Sequence, residues 1–360
     1  MAARVLLLIA FVTVLLAGCR GGEGGVANRE REGRGEPRPF FMGVSSLPTD
    51  PTEEAYRTAF KLAGEAGEVV LIQRTPPWAD FLPGAKISDR TERLTRLEKD
   101  LARKNNLQLF LAIDATEPAD RGRLAALPDE LRGRDFSDAR LRAAFIAYAK
   151  YLALNYKPAY LALGVEVDLF FVRRGDAAFR NFQSLYFEAY DAVKEVSPST
   201  LVFPTFQYED MIGELQTGEP TLPAWSLVNR FEPKLDMLAI STYPGFVYDR
   251  VDAVPADHYA QLKNRVAKPI AFVSVGWSST PRADVQGEGE GEQAAFLSET
   301  LAQASALDAR LFIWYLSRDT IVTPAASFES LATMGLRTAD DRPKSAWSIW
   351  RLFAGRPVQR

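Results

Sequence analysis

The chain repeats one pattern eight times: a short apolar run rich in β-forming residues, then a stretch with helical periodicity. The runs are FFMGVSSL from Phe40, EVVLIQR from Glu68, LQLFLAID from Leu107 and YLALGVE from Tyr160, then LVFPTFQ from Leu201, LDMLAISTY from Leu235, PIAFVSVGW from Pro269 and RLFIWYLS from Arg310. Near-continuous hydrophobicity marks parallel strands covered on both faces. Between them, Leu141, Ala144, Phe145, Tyr148 and Leu152 share one face at helical spacing, with Ser137 placed as a cap. Phe182, Leu185, Tyr186, Ala189 and Val193 repeat that spacing, and further helices are expected over 52–66, 90–104, 223–231, 255–266, 290–306 and 343–353. Strand followed by helix eight times predicts an α/β chain closed into a (β/α)8 TIM barrel. An open doubly wound sheet is the alternative, but the first strand runs into MGVSSLP, with one glycine and no phosphate-binding turn.

Three segments are expected. Residues 1–18 read as a signal peptide: a basic start at Arg4, an apolar stretch from Val5 to Ala17 broken by Thr13, then small residues. Leu16-Ala17-Gly18-Cys19 resembles the bacterial lipobox, which implies cleavage before Cys19 and lipid attachment to its sulfur. Arg20 stands where an inner-membrane retention signal would place Asp. The implied location is the cell envelope, by a lipid anchor, and the outer membrane if the cell has two membranes. Residues 19–38, rich in Gly, Arg and Glu, have too little apolar content to fold and read as a flexible tether. Residues 39–360 form the barrel domain.

Composition excludes several chemistries. The net charge of −3 gives no basic surface for nucleic acid. One cysteine leaves no disulfide framework, and one cysteine with one histidine leaves no Cys/His zinc cluster. A Ser-His-Asp triad could draw only on His258, which lies in PADHYAQLK and reads as part of a surface helix. No metal or organic cofactor is implied. Chemistry falls to carboxylates, Tyr, Lys, Arg or Ser.

In a barrel of this kind the active site lies at the C-terminal ends of the strands. Glu166 ends the fourth strand and is expected to face that mouth; its structural alternative is an ion pair with an arginine such as Arg74 or Arg173. Several motifs resemble those of the clan A glycoside hydrolases, the retaining glycosidases built on this barrel. Gly164-Val165-Glu166 is similar to the Gly-Asn-Glu that ends the clan's fourth strand, whose Glu is the acid/base. Asp236, Ser241, Tyr243 and Pro244 in DMLAISTYP match its sixth strand, and Lys268, Pro269, Ile270, Gly276 and Trp277 in KPIAFVSVGW match its seventh. Trp314 matches an eighth-strand Trp, and GLRTADDRPKSAW is similar to the clan's usual ending. The endo-galactanase branch is one possible relative. Two positions depart from the clan: Ser274 stands at the nucleophile's place, and Val165 replaces the Asn that contacts the sugar.

The resemblance implies a β-linked oligosaccharide or polysaccharide as ligand. Glu166 is the candidate general acid/base, and Glu209 on the neighbouring fifth strand is a weaker candidate for a second carboxylate. Helix N-terminal charge is the bland explanation of Glu209 and Asp210. Asp114, Glu117, Asp168 and Asp319 also stand near strand ends, Asp114 and Glu117 equally as turn or cap residues. Arg74, Trp78, Gln207, Tyr243, Ser274, Trp277 and Trp314 are the candidate substrate-binding residues, with Gln73, Phe206 and Tyr208 beside them. Aromatic rings can stack on sugar C–H faces, or simply pack beneath the loops. Two readings follow. One is a lipid-anchored O-glycosyl hydrolase. The other is a non-catalytic, carbohydrate-binding relative that has lost its nucleophile.

Overall fold

The computed structural model describes residues 35–215, 223–265, 267–280, 289–321 and 326–359. The expected signal peptide, Cys19 and most of the expected tether lie outside the described residues, so the lipid anchor has no structural counterpart here. Arg38, at the end of that expected tether, belongs to the folded body. It is 1% exposed, its N–H donates to Pro357 O at 2.9 Å, and its guanidinium pairs with Glu68 at 2.6 Å.

All eight expected strands form. They are β1 (Phe41–Ser45), β2 (Val69–Arg74), β3 (Gln108–Ile113), β4 (Tyr160–Ala162), β5 with its continuation β5′ (Leu201–Phe203 and Thr205–Gln207), β6 (Leu238–Thr242), β7 (Ile270–Val275) and β8 (Leu311–Trp314). Their order across the sheet is β5-β4-β3-β2-β1-β8-β7-β6-β5′, parallel throughout. Only Pro204 separates β5 from β5′, so the two ends of that order are one interrupted strand and the sheet comes round on itself. Proline has no N–H to give a ladder. The first half therefore pairs with β4 (Leu161↔Val202) and the second with β6 (Phe206↔Ile240). On the β6 side the Val202 N–H is taken instead by the Asp236 carboxylate, at 2.7 Å.

Helices surround the barrel: α1 (Glu53–Ala66), α2 (Asp89–Lys104), α3 (Ala139–Tyr156), α4 (Val167–Val196), α5 (Gly289–Ala306) and α6 (Ser345–Ala354). The expected apolar faces of α3 and α4 are buried in full. Asp138, not Ser137, caps α3, accepting from the Arg140 N–H at 2.9 Å. α4 starts earlier than its apolar pattern suggests and is broken at Gly175, whose φ of 74° suits glycine. Two expected helices shrink. Segment 223–231 holds one helical turn, Ser226–Asn229, which stops ahead of Pro233. Among its described residues, segment 255–266 holds only a 3-10 turn, Ala260–Asn264, which follows the buried His258 and Tyr259. The helix expected over 290–306 is α5, which opens at Gly289, and its Glu290 pairs with Arg342 at 2.8 Å; residues 281–288 lie outside the described residues. Among the described residues no helix is long and apolar enough to cross a membrane.

The link from β4 to α4 sets the site. An added Cβ at Gly164 would lie 2.7 Å from the Phe182 ring and 2.8 Å from Val167 Cγ1. Glycine there lets α4 close down on the strand end. Two residues on, Glu166 takes the left-handed conformation (φ 50°, ψ 54°), uncommon for a side chain of its size. Its N–H donates to Thr205 Oγ1 at 3.0 Å, which holds the turn.

Candidate active site at the barrel mouth

A cavity of about 390 Å³ opens at the C-terminal ends of the strands. Among the described residues that line it, Glu166 is the one carboxylate. Its Oε2 accepts from Arg121 twice, from Nε at 3.1 Å and Nη2 at 2.8 Å. Its Oε1 accepts from Ser241 Oγ at 2.7 Å. Arg121 is carried by a two-stranded hairpin (Thr116–Glu117 and Asp120–Leu124) between β3 and α3. Its Nη1 donates to Asp114 at 2.6 Å, and Asp114 accepts from Gln73 Nε2 at 2.8 Å. A charged chain thus runs Gln73–Asp114–Arg121–Glu166–Ser241 across the mouth. Burial works against the Arg121 charge, but Asp114 and Glu166 outweigh it and hold its pKa above the ordinary value.

Beside this chain, Tyr243 Oη and Ser274 Oγ lie 2.5 Å apart, both lining the cavity. Burial first, then the nearby Tyr315 and Glu166, pushes the Tyr243 phenol well above its ordinary pKa. It stays neutral and cannot serve Ser274 as a base. The one histidine is no help either. His258 is buried, not on a surface helix, and it faces away from the cavity: its Nε2 lies 3.4 Å from Glu209 Oε1.

Gln207 lines the cavity, as do Gln73, Tyr243, Ser274 and Arg173. Other candidates stand elsewhere. Arg74 points out of the barrel, because neighbouring residues on a strand face opposite sides. It pairs with the buried Glu98 of α2, which also accepts from Tyr156 Oη at 2.6 Å. Trp78 packs on Phe145 of α3 and donates its indole N–H to Ala125 O at 2.8 Å. Trp277 and Trp314 both pack on Phe296 of α5. None of these four lines the cavity; on β8's side it is Tyr315, one residue beyond Trp314, that does. Phe206 and Tyr208 are fully buried away from it. Glu117 is at the hairpin, 3.6 Å from Arg123, and Asp319 pairs with Lys344 at 2.6 Å.

Glu209 is wholly buried and outside the cavity lining. It accepts from Thr242 Oγ1 and Gln207 Nε2, both at 2.5 Å, and from the Tyr243 N–H at 3.1 Å. Its bonds tie β5′ to β6. Asp168 and Asp210 form a second buried acid group. Asp168 accepts from the Gln207 N–H at 2.9 Å, while the Asp210 oxygens have no neutral donor. Burial raises the pKa of both above the ordinary 3.8; the Asp210 charge raises Asp168 further, while Asp168, sharing its proton, draws Asp210 part of the way back. Folding therefore favours proton binding here. This contribution is greatest below pH 3.8 and is lost as pH rises through the folded value. Asp168→Asn keeps the Gln207 contact and gives Asp210 a donor. The variant is expected to gain about 1–3 kcal/mol on wild type between pH 4.5 and pH 8, read by urea unfolding at both; equal pH slopes for the two proteins would refute the shared proton.

The carboxylate site ringed by strand ends, on a barrel wrapped by helices, has the fold of the clan A glycoside hydrolases. Similar solved structures are glycoside hydrolase family 5 proteins. One is the exo-β-1,4-mannosidase Op5Man5 from Opitutaceae bacterium strain TAV5, with TM-score 0.66 and 19% identity over 88% of this chain and 59% of that one. Another is a glutamate-to-alanine variant of GH5_18 from Streptomyces cattleya in complex with Manβ1-4GlcNAc, with TM-score 0.65 and 19% identity over 90% and 83%. A third is a glutamate-to-alanine variant of GH5_18 from Bifidobacterium longum subsp. longum ATCC 55813 with the same disaccharide, with TM-score 0.66 and 16% identity over 89% and 80%. The chain spans about three fifths of the mannosidase's length. No protein-family model and no curated protein matches the sequence.

Proposed function

We propose that this protein binds β-linked glycosides at the barrel mouth without hydrolysing them, in a cleft inherited from a glycosidase. The observation that carries the reading is that Glu166 is the one carboxylate among the described residues that line the cavity. Retaining hydrolysis needs two carboxyl groups about 5–5.5 Å apart, and inverting hydrolysis two about 6.5–9.5 Å apart on either side of the sugar. Glu209, the neighbouring alternative, is sealed behind the wall. Ser274 has a neutral tyrosine for its partner and no base. Glu166 itself is engaged at both oxygens, by Arg121 and by Ser241. What remains is a set of polar groups suited to fixing a sugar's hydroxyls: Glu166, Gln207, Ser241, Tyr243 and Ser274. Lipid attachment at Cys19 would present that cleft in the cell envelope.

The test is a titration of the full chain with Manβ1-4GlcNAc by calorimetry, alongside an aryl-β-glycoside hydrolysis assay. Binding without turnover is expected. Glu166→Gln is expected to weaken binding about tenfold, the loss of one charge-assisted bond's margin. Turnover in the parent that disappears in Glu166→Gln would overturn the non-catalytic reading.

A further inference from the structure

Most of the polar groups in this cavity form a belt. Below them, Leu71, Phe110, Ala112 and Val273 of the strands make an apolar floor. Above them the rim is largely apolar: Pro118 and Ala119 at the hairpin tip, Leu169 and Val172 on the first turns of α4, Phe246 after β6, and Leu331, with the charged Arg173 beside Val172. Val172 is 40% exposed and Phe246 37%. Apolar side chains gathered at the entrance of one cavity ask for an apolar occupant more than scattered surface ones do.

We propose, resting on the glycoside-binding reading above, that the cleft selects small glycosides whose aglycone is apolar, a short alkyl chain or an aryl ring, in preference to a second sugar. A second sugar on this rim would bring hydroxyl groups out of water against Leu169, Val172 and Leu331, which offer no hydrogen bonds, and unpaired buried hydroxyls disfavour binding. An alkyl or aryl group loses nothing there and gains from burial. The volume agrees: about 390 Å³ is near the small end for ligand sites and suits one sugar with a short appendage.

The experiment is calorimetry on the full chain with methyl, butyl and hexyl β-D-mannopyranosides, the matching β-glucosides, Manβ1-4GlcNAc and 1-hexanol. Affinity is expected to rise roughly tenfold for every two methylenes. Val172→Ser, at a half-exposed helical position, and Leu169→Asn are expected to flatten that rise. A disaccharide that binds as tightly as the hexyl glycoside overturns the proposal while leaving glycoside binding intact. So does a steep rise that neither variant changes, which would place the chain outside the cleft. Hexanol binding as tightly as the hexyl glycosides overturns the glycoside reading and leaves the apolar rim standing. Silence from every probe overturns both.

Discussion

Arg121→Met is expected to destabilise the protein by roughly 3–5 kcal/mol, the range for breaking a buried ion pair by removing one partner. The arginine stands between Asp114 and Glu166, with side chains 9%, 6% and 13% exposed respectively. Without it two carboxylates share one partly dry site, and Gln73, Thr116 and Ser241 are the donors left to them. The variant should recover stability as pH falls, since protonating either acid removes the repulsion. Urea midpoints of parent and variant at pH 7 and pH 5 measure both effects. Arg121→Lys should restore only part of the loss, since one ammonium cannot reproduce the fork that reaches both acids. A loss under about 1 kcal/mol with no pH dependence would mean that the chain across the mouth is not the anchor described.

Ser274→Glu is expected to create β-glycoside hydrolysis where the parent has none, at least roughly 100-fold above background, because a working nucleophile is worth far more than that in hydrolases. The new carboxylate would enter the cavity from β7, facing Tyr243, with Glu166 already at the end of β4. It would supply the second carboxyl group that the two-step mechanism requires. A Glu166→Gln, Ser274→Glu double variant should fall back to background. Aryl-β-mannoside and aryl-β-glucoside release assays read the result. Hydrolysis that is equal in parent and single variant would show that the parent has a second carboxylate of its own.

The frame of the molecule is plain in its sequence because strand and helix differ in period. The eight apolar runs, and the stripes of α3 and α4, record the two faces each element buries. Glu166 is legible for the same reason: a carboxylate that closes an apolar run has to reach a mouth or a partner. It does both. Its partner, Arg121, is not legible, since DRGR between two turns carries no periodicity and the hairpin exists through its contact with α4. The tryptophans fail differently. Whether a ring at a strand end faces the cavity or a helix depends on a single residue of register, and Trp314 against Tyr315, like Arg74 against Gln73, falls on the other side. His258 reads as surface because its neighbours are polar, yet Tyr208, Tyr248 and Tyr259 close around it.

The interruption at Pro204 gives the barrel a clasp. β7 slips register on both its neighbours near Phe272, but only at Pro204 is a strand divided, one half pairing with β4 and the other with β6. The clasp is fastened by side chains: Asp236 on the Val202 N–H, Glu209 on Thr242, and Thr205 on the Glu166 turn. Thr205 and Gln207 of the second half line the cavity. The hoop's least continuous stretch is therefore also a wall of the cleft, and its amides should exchange with solvent sooner than those of β1, β2 or β8. Loosening it would widen the mouth from the side, with the rest of the ring left closed.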